Sequence, residues 1–343
     1  MRSLKEEWQF LHGLPEEQVD SFYNGRVNEV SDVSRLCKSP VVSVLVPIWN
    51  HHDWLDQCIS SIVAQKCSFD FEILLCEDHS TDDSLVICKK WQQNYPALIR
   101  IVSGETNLGA FKNADMGFRC ARGDYIALVE GDDYWTDSQK LQKQVDLLHS
   151  GRYRIVVALN QILDSNTGRI SESRIPKCDE LSLHNLDLMY YHTSTYIFEK
   201  TLRQSMVSYF KWVKAYDTVF LRLALSLCGR IGVLNEYVSV YRKTGNGIYT
   251  SLTLSQKGED GVRDAIAFYR HSPRNILPLA KHNYCSALFN YVAYKNYGGE
   301  RSVRHVLAFM LGLSNITFAV NKRRILFLAG SALKSFFANR RDG

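Results

Sequence analysis

Short apolar runs alternate with helical patterns between residues 41 and 129, and this alternation constrains the fold more than any other feature of the chain. Residues 41–46 form a β-branched run that ends at Pro47 and is typical of a buried strand. Apolar residues at helical spacing separate this run from the later ones, which predicts an α/β fold with a Rossmann-like, mostly parallel sheet and flanking helices. The other strands predicted in this half are residues 71–76, 99–102 and 125–129.

Polar loops follow three of these predicted strands, at residues 47–50, 77–82 and 130–133. Because the carboxyl ends of parallel strands lie at one edge of a sheet, the three loops are expected to open onto one crevice. Ligands of such sheets bind in that crevice. The sequence therefore predicts a ligand site in the first half of the chain.

The densest group of carboxylates is Glu130-Gly131-Asp132-Asp133, which places three of them in four residues directly after an apolar strand. Bringing like charges together costs free energy unless a cation offsets the repulsion. Mg²⁺ and Mn²⁺ take oxygen ligands from carboxylates and complete their shells with water and substrate phosphates. The group therefore predicts a divalent-cation site, and a solvated acidic turn is the alternative.

The loop after the second strand and Trp49 offer further candidate contacts. A carboxylate at Glu77 or Asp78 is able to accept a hydrogen bond from a nucleobase imide or a ribose hydroxyl, whereas residues 80–82 are suited to cap the helix predicted from Ser84. Trp49 is placed to stack on a planar base, with a core position as the alternative. No GxGxxG follows the first strand and no GxxxxGK[ST] occurs in the chain, which argues against dinucleotide and P-loop sites.

Four segments in this order resemble the family 2 glycosyltransferases with the GT-A fold, of the type that builds bacterial cell-surface polysaccharides. They are residues 42–50, residues 77–82, residues 107–109 with Asn113 and Gly117, and residues 123–135. Each segment is weakly specific alone, but four in the right order are strongly specific. The resemblance covers residues 41–150 and continues more loosely to about residue 250.

The resemblance implies roles for individual residues. Asp78 corresponds to the acid that contacts uracil, with Glu77 as its companion, and Pro47 and Trp49 lie where the first loop of the family holds the base. Lys112 is near the expected diphosphate position, although a surface lysine is an equally good interpretation. The residues expected to contact the donor are Pro47, Trp49, Glu77, Asp78, Lys112, Glu130, Asp132 and Asp133.

The resemblance also places Glu130 and Asp132 at the Asp-x-Asp position of the family, which implies that they bind Mn²⁺ or Mg²⁺. The first acid here is Glu rather than Asp, so Asp132 is the better candidate for a direct ligand.

Transfer to an acceptor hydroxyl requires a general base, and Asp217 is the candidate. It precedes an apolar helical pattern, and the family places a catalytic acid in a comparable segment. Direct attack on the donor implies inversion at the anomeric carbon. The alternative is that Asp217 is the N-cap of that helix.

Two later segments resemble acceptor-side elements of the family. Residues 241–247 resemble a Tyr-Arg pair followed by a flexible Gly-rich lid that closes over the diphosphate. Residues 192–195 precede a predicted strand, and we interpret His192 itself as a buried structural histidine.

The C-terminal region is basic, with eight Lys and Arg residues and a single acid from Arg301 onward. Its alternating apolar and basic blocks predict an amphipathic helix on an anionic membrane surface, and a helical pair packed on the catalytic domain is the alternative.

No apolar run reaches the roughly 18–20 residues that span a bilayer, no secretory signal is present, and the nine cysteines show no CxxC pair. These features predict a cytoplasmic protein, peripheral on the inner face of the plasma membrane. A net charge of +5 does not favour a nucleic-acid partner.

The sequence thus predicts an inverting glycosyltransferase that moves a sugar from a nucleoside-diphosphate sugar, with UDP favoured, to a glycan or lipid-linked acceptor in polysaccharide biosynthesis. A catalytically silent nucleotide-sugar-binding module of the same fold is the alternative, and a nucleotidyltransferase is disfavoured because no Gly-rich basic loop follows the first strand. The predicted organisation is a helical lead-in at 1–40, a donor-binding half at 41–150, an acceptor-side half with the base at 151–255, and a helical extension at 256–343.

Overall fold

The computed structural model describes residues 23–173, 175, 177–182, 191–210, 216–244, 252–271 and 287. The strands are β1 (Asn28–Val30), β2 (Val42–Ile48), β3 (Phe71–Glu77), β4 (Ile99–Ser103), β5 (Tyr125–Leu128), β6 (Tyr134–Trp135), β7 (Ile155–Asp164), β8 (Ile170–Glu172), β9 (Glu180–Leu181), β10 (Ile197–Glu199) and β11 (Ile231–Lys243). The helices are α1 (His52–Val63), α2 (Ser84–Asn94), α3 (Gly109–Cys120), α4 (Lys140–His149), α5 (Lys200–Phe210), α6 (Tyr216–Cys228) and α7 (Leu254–His271).

The chain divides into two compact units. The larger comprises Asp20–Ser208 and Phe220–Gly245, and it contains every strand given above. The smaller comprises Met1–Val19, Tyr209–Val219 and Asn246–Gly343, and its described residues include α7.

The first half of the sheet is parallel, as the alternating pattern predicted. Strands β4, β3, β2 and β5 lie side by side in that order, and all three pairings are parallel. Helices α1, α2 and α3 connect them in the chain. Strand β2 is buried at every position except Pro47, because the sheet is covered on both faces and the strand is apolar apart from Ser43, whose hydroxyl donates to the buried Glu72. The predicted α/β class is confirmed.

The second half of the sheet is mixed. Strand β10 lies between β5 and β7 and is antiparallel to both, while β11 runs parallel to β7. The short strand β6 pairs antiparallel with β11, with Trp135 opposite Ser239 and Tyr134 opposite Val240. These pairings join residues distant in the sequence to the strand ends of the parallel half.

The lead-in differs from its prediction. We expected helix over residues 1–40, but the described part, residues 23–40, contains the strand β1, which pairs antiparallel with β4 at the sheet edge. Three residues are too few for a local pattern to indicate a strand. Residues 1–22 lie outside the described residues, as does the predicted helical extension beyond residue 271, apart from residue 287. None of the helices that the structure describes combines the length and apolar character needed to cross a membrane.

The first residue of α4 is a lysine that is fully buried. The ammonium group of Lys140 lies 4.2 Å from the centre of the Trp135 ring, and within the described residues its Nζ has no hydrogen-bond partner. Burial lowers the pKa of Lys140 to about 7, which the charge of Asp137 only partly opposes. In the unfolded chain the lysine keeps its ordinary, higher pKa and therefore stays protonated to a higher pH than in the folded state. The folded state is consequently destabilised at neutral pH.

Lys140→Met is therefore expected to raise the free energy of unfolding by a few kcal/mol at pH 7. The stability of the natural protein is expected to rise between about pH 7 and the ordinary lysine pKa, as the unfolded state loses its extra proton, and this slope is expected to disappear in the variant. Urea unfolding from pH 6.5 to 9.5 measures both effects. Lys143→Met, which removes a partly exposed lysine on the same helix, serves as the control, and a destabilised Lys140→Met would contradict the prediction.

Candidate functional site

The three polar loops meet at the carboxyl ends of the parallel strands, as the sequence predicted. The main-chain carbonyl of Pro47 accepts a hydrogen bond from Gly131 N at 3.1 Å, and that of Ile48 accepts one from Asp78 N at 3.0 Å. The last two residues of β2 therefore hold both the acid-bearing loop and the loop after β3. The candidate residues of all three loops are brought into one region.

The loops after β2 and β3 are tied to each other by side chains. Asn50 and His79 both adopt left-handed backbone conformations, with φ angles of 58° and 57°. Asn50 N donates to Ser80 Oγ at 3.0 Å, and Asn50 Oδ1 accepts from Thr81 N at 2.8 Å. Such conformations cost free energy in residues other than glycine, although asparagine and histidine tolerate them better than most. The cross-loop hydrogen bonds maintain that of Asn50, and His79 is held by Glu77, which accepts from its amide, and by the Gly104 carbonyl 3.0 Å from its Nε2.

The N-cap of α2 is Asp83 rather than one of residues 80–82, but Asp82 binds the first amide of two helices. Its Oδ1 accepts from Ser84 N at 2.9 Å at the start of α2, and its Oδ2 accepts from His52 N at 3.1 Å at the start of α1. Burial opposes the ionisation of Asp82, but hydrogen bonds from Ser84 and His52 outweigh it and lower its pKa. One carboxylate therefore stabilises the beginnings of two helices.

Glu77 and Asp78 are both buried, and both accept hydrogen bonds from backbone amides. Glu77 accepts from Ser80 N at 2.7 Å and from His79 N at 3.1 Å, so its two oxygens shape their own loop. Asp78 accepts from Leu108 N at 2.6 Å and Gly109 N at 2.8 Å, at the beginning of α3. Burial raises the pKa of Asp78, and these two amides limit the rise.

The remaining donor candidates occupy different environments. Trp49 is 51% exposed directly after β2, so the core position considered for it is wrong and its ring is accessible. Pro47 is the penultimate residue of β2. Lys112 is the fourth residue of α3 and is half-buried.

The three acids after β5 have different environments. Glu130 Oε1 accepts a hydrogen bond from the Thr193 hydroxyl at 2.5 Å. The side chain of Asp132 is 20% exposed, and its main-chain carbonyl accepts from Arg242 Nε at 2.8 Å. Asp133 is almost fully buried, and its Oδ1 accepts from Arg242 N at 2.8 Å. Burial raises the pKa of Asp133 well above its ordinary value, the charges of Asp132 and Glu130 raise it further, and Arg242 opposes them.

The donor atoms of Glu130, Asp133 and His192 form a group suited to a metal ion. One ligand atom from each residue lies within 4.8 Å of those of the other two, and His192 Nδ1 is 3.4 Å from Asp133 Oδ2. Two carboxylates and an imidazole in a buried setting fit a divalent cation, because its charge offsets that of the acids. Glu130 belongs to this group as predicted, whereas Asp132 does not.

Sequence reasoning did not identify His192 as a member of this group. The histidine is buried, as expected, and its ring stacks on Tyr241 with 4.3 Å between ring centres. It lies close to the acids because β10 pairs antiparallel with β5, which brings the residues just before β10 to the carboxyl end of β5. The only local signal was a histidine placed shortly before a predicted strand.

Arg242 joins the end of β11 to the acid-bearing loop. Besides its bonds to Asp132 and Asp133, its Nη2 donates to Gln57 Oε1 in α1 at 2.6 Å, and its guanidinium lies 5.3 Å from the centre of the Tyr134 ring. Of the Tyr-Arg pair that precedes the predicted lid, the arginine thus contacts the acid-bearing loop, and the tyrosine stacks on His192. The rest of that segment, residues 245–247, lies outside the described residues.

Asp217, the candidate base, is the second residue of α6 and belongs to the smaller unit. Its side chain is not among those that the structure describes.

Comparison with known proteins identifies the family to which the chain belongs. The family model described as glycosyl transferase family 2 matches residues 43–214, which is half of the chain. The chain belongs to this family. An uncharacterized protein of Mycobacterium tuberculosis (strain ATCC 25618 / H37Rv) is 28% identical to this family 2 chain over 229 residues, and the match covers 61% of the chain and 61% of that protein. The chain thus spans about three fifths of the length of this relative.

Solved structures share the fold of this family 2 chain. TarS of S. aureus in complex with UDP-GlcNAc has a TM-score of 0.60 and 19% identity, covering 88% of this chain and 89% of that chain. Mannosyltransferase PcManGT from Pyrobaculum calidifontis, in complex with GDP-Man and Mn²⁺, has a TM-score of 0.55 and 15% identity, covering 88% of each. Both similarities establish the GT-A fold.

Proposed function

We propose that this chain is an inverting glycosyltransferase that moves a sugar from a nucleoside-diphosphate sugar to a glycan or lipid-linked acceptor in polysaccharide biosynthesis. The observation that carries the proposal is the group of acids at the carboxyl end of β5, joined by His192 and held against the loops after β2 and β3. Such an arrangement suits a diphosphate bound together with a cation. Family membership and the nucleotide-sugars bound by the similar structures support it.

We propose that Mn²⁺ or Mg²⁺ is held at this group. Glu130 and Asp132 would provide the carboxylates nearest the donor. On the buried side of the site, Asp133 and His192 would either complete the set of cation ligands or hold those ligands in place. A bound cation neutralises negative charge on a departing diphosphate. The Arg242 contacts keep the loop in place, because they bind the Asp132 carbonyl and the Asp133 carboxylate.

The donor is proposed to be a UDP-sugar bound across the first two loops. Trp49 would stack on the base, and Asp78 would contact it with the lone pairs that the Leu108 and Gly109 amides leave available. Glu77 would act by shaping the loop rather than by touching the nucleotide, since its oxygens bind backbone amides. Lys112 is proposed to face the diphosphate, and Pro47 to set the position of Trp49.

The acceptor side is proposed from the resemblance. Asp217 would remove the proton of the acceptor hydroxyl, with residues 151–255 contributing to the acceptor site and residues 41–150 to the donor site. Attack opposite the leaving diphosphate would invert the anomeric carbon. The basic region from residue 256 would bring the enzyme to the cytoplasmic face of a membrane, where a lipid-linked acceptor resides.

A donor screen tests the proposal directly. UDP-sugars, GDP-sugars and free nucleotides are added to the full chain with Mn²⁺, and both the thermal midpoint and donor turnover are recorded. Stabilisation and turnover with one class of donor are expected. Stabilisation without turnover on any supplied acceptor or water would favour the silent binding module, and no response to any nucleotide would reject the donor site.

Trp49→Ala is expected to weaken UDP binding by about tenfold or more, because stacking of a base on an aromatic ring contributes about 1–3 kcal/mol. Trp49→Phe is expected to retain most of the affinity. Isothermal titration with UDP and Mn²⁺ measures both. Tyr95→Ala, which removes another partly exposed aromatic ring at the end of α2, is the control, and unchanged affinity of Trp49→Ala would contradict the role of Trp49.

A further inference from the structure

The glycine between Glu130 and Asp132 is required because a histidine ring occupies the adjoining space. A Cβ at residue 131 would lie 2.5 Å from His51 Nδ1 and 3.2 Å from Ile48 Cγ1. The first distance is shorter than real side-chain contacts allow, so any other residue there would displace the ring. The imidazole of His51 thus packs directly against the backbone that carries the two acids.

The position of His51 is determined by its backbone as well as by packing. Its amide donates to Ser84 Oγ at 2.9 Å, and its carbonyl accepts from Trp54 N at 3.0 Å and Leu55 N at 2.9 Å in α1. The preceding Asn50 is held in its left-handed conformation by the loop after β3. The ring therefore projects from a rigid point next to the acids.

The two ring nitrogens of His51 have different surroundings. Nε2 lies 4.0 Å from Asp132 Oδ1. Nδ1 is buried and, across the residues that the structure describes, has no hydrogen-bond partner. Because a buried N–H without an acceptor is costly, the neutral ring favours its proton on Nε2, the nitrogen that faces Asp132.

We propose that His51 is a positioning residue for Asp132: its Nε2–H faces Oδ1 and orients the carboxylate so that Oδ2 is presented to the cation. The inference rests on the proposed function, because it requires Asp132 to be a metal ligand. The separation of 4.0 Å is longer than a hydrogen bond, and the proposal requires it to shorten when a bound cation fixes the carboxylate, because hydrogen bonds of catalytic sites are often long before the ligand binds. Partners of this kind set the orientation of metal ligands and influence affinity.

The test measures Mn²⁺ affinity of the full chain by isothermal titration without donor. His51→Phe keeps the ring volume and removes both nitrogens, and it is expected to weaken Mn²⁺ binding by about tenfold with an unchanged thermal midpoint. His51→Gln keeps an N–H donor at the end of the side chain and is expected to stay within about threefold of the natural protein. His52→Phe is the matched control, since its side chain is half exposed and lies near Asp53 instead; it is expected to bind Mn²⁺ normally.

Asp132→Asn separates the two ways in which the idea can fail. If Asp132→Asn loses Mn²⁺ affinity but His51→Phe does not, the positioning role is rejected and the proposed metal site stands. If Asp132→Asn binds Mn²⁺ like the natural protein, the metal role of Asp132 and the inference both fail. Equal loss in His51→Phe and His51→Gln, together with a lowered thermal midpoint in both, would show that the ring acts only by packing and would also reject the inference.

Discussion

Asp132→Asn is expected to lower kcat/KM for sugar transfer by about 10³-fold, because it removes a carboxylate from the site proposed for the cation. The variant is expected to fold normally. The contact that Asp132 makes to Arg242 Nε is through its main-chain carbonyl, which asparagine retains. The side chain is 20% exposed, in contrast to that of Asp133 at 1%. Its substitution therefore leaves no buried group without a partner.

The measurement is transfer or donor hydrolysis as a function of Mn²⁺ concentration, alongside a thermal melt of each variant. Asp53→Asn is the control, because its side chain is 70% exposed in the first turn of α1 and is expected to leave turnover unchanged. Full turnover of Asp132→Asn at the Mn²⁺ concentration that saturates the natural protein would remove Asp132 from the site.

Asp217→Asn is expected to lower kcat by about 10²–10⁴-fold, which is the usual contribution of a general base. The asparagine is unable to take the acceptor proton, whereas the donor contacts proposed for Trp49, Asp78 and the acids near β5 remain. Binding of the UDP-sugar, measured by isothermal titration, is therefore expected to be unchanged. The product of the natural enzyme is expected to have the anomeric configuration opposite to that of the donor, which NMR of the product reports.

Asp260→Asn provides the comparison for this second variant, because Asp260 is another carboxylate of the smaller unit and lies 3.7 Å from Arg263 on the same helix. Normal kcat in Asp217→Asn would assign the base to a different residue. A retained anomeric configuration in the product would instead reject direct attack on the donor. Loss of donor binding in Asp217→Asn would contradict a role confined to the acceptor.

Local patterns were sufficient for the parallel half of the fold. Strands β2, β3, β4 and β5 are buried on both faces, so they read as mainly apolar runs, interrupted by Glu72 in β3 and Arg100 in β4, which pair with each other. The helix predicted from Ser84 matches α2. The convergence of the three loops followed from topology, because parallel strands place their carboxyl ends at one edge. The acidic group after β5 was visible for the same reason.

Local patterns were insufficient where a contact depends on long-range pairing. The antiparallel insertion of β10 beside β5 brings His192 to the acids, and the pairing of β6 with β11 brings Arg242 to them. The sequences of β10 and β6 do not indicate which strand each pairs with. A segment of two or three residues is too short to show the alternation of apolar and polar residues that would fix its pairing. The same applies to β1, where a helix was expected.

The chemistry of the site likewise depends partly on residue types, which are read directly from the sequence, and partly on packing, which only the tertiary structure determines. Residue types and their order predicted an acidic edge of the sheet suited to a nucleotide, since charge and hydrogen-bonding capacity belong to each side chain. Which oxygens are available is a property of the folded molecule, because it depends on the neighbours that packing supplies. Glu77 accepts hydrogen bonds from its own loop, Asp82 accepts from the first amide of two helices, and the ring of His51 fills the space that Gly131 leaves beside Asp132.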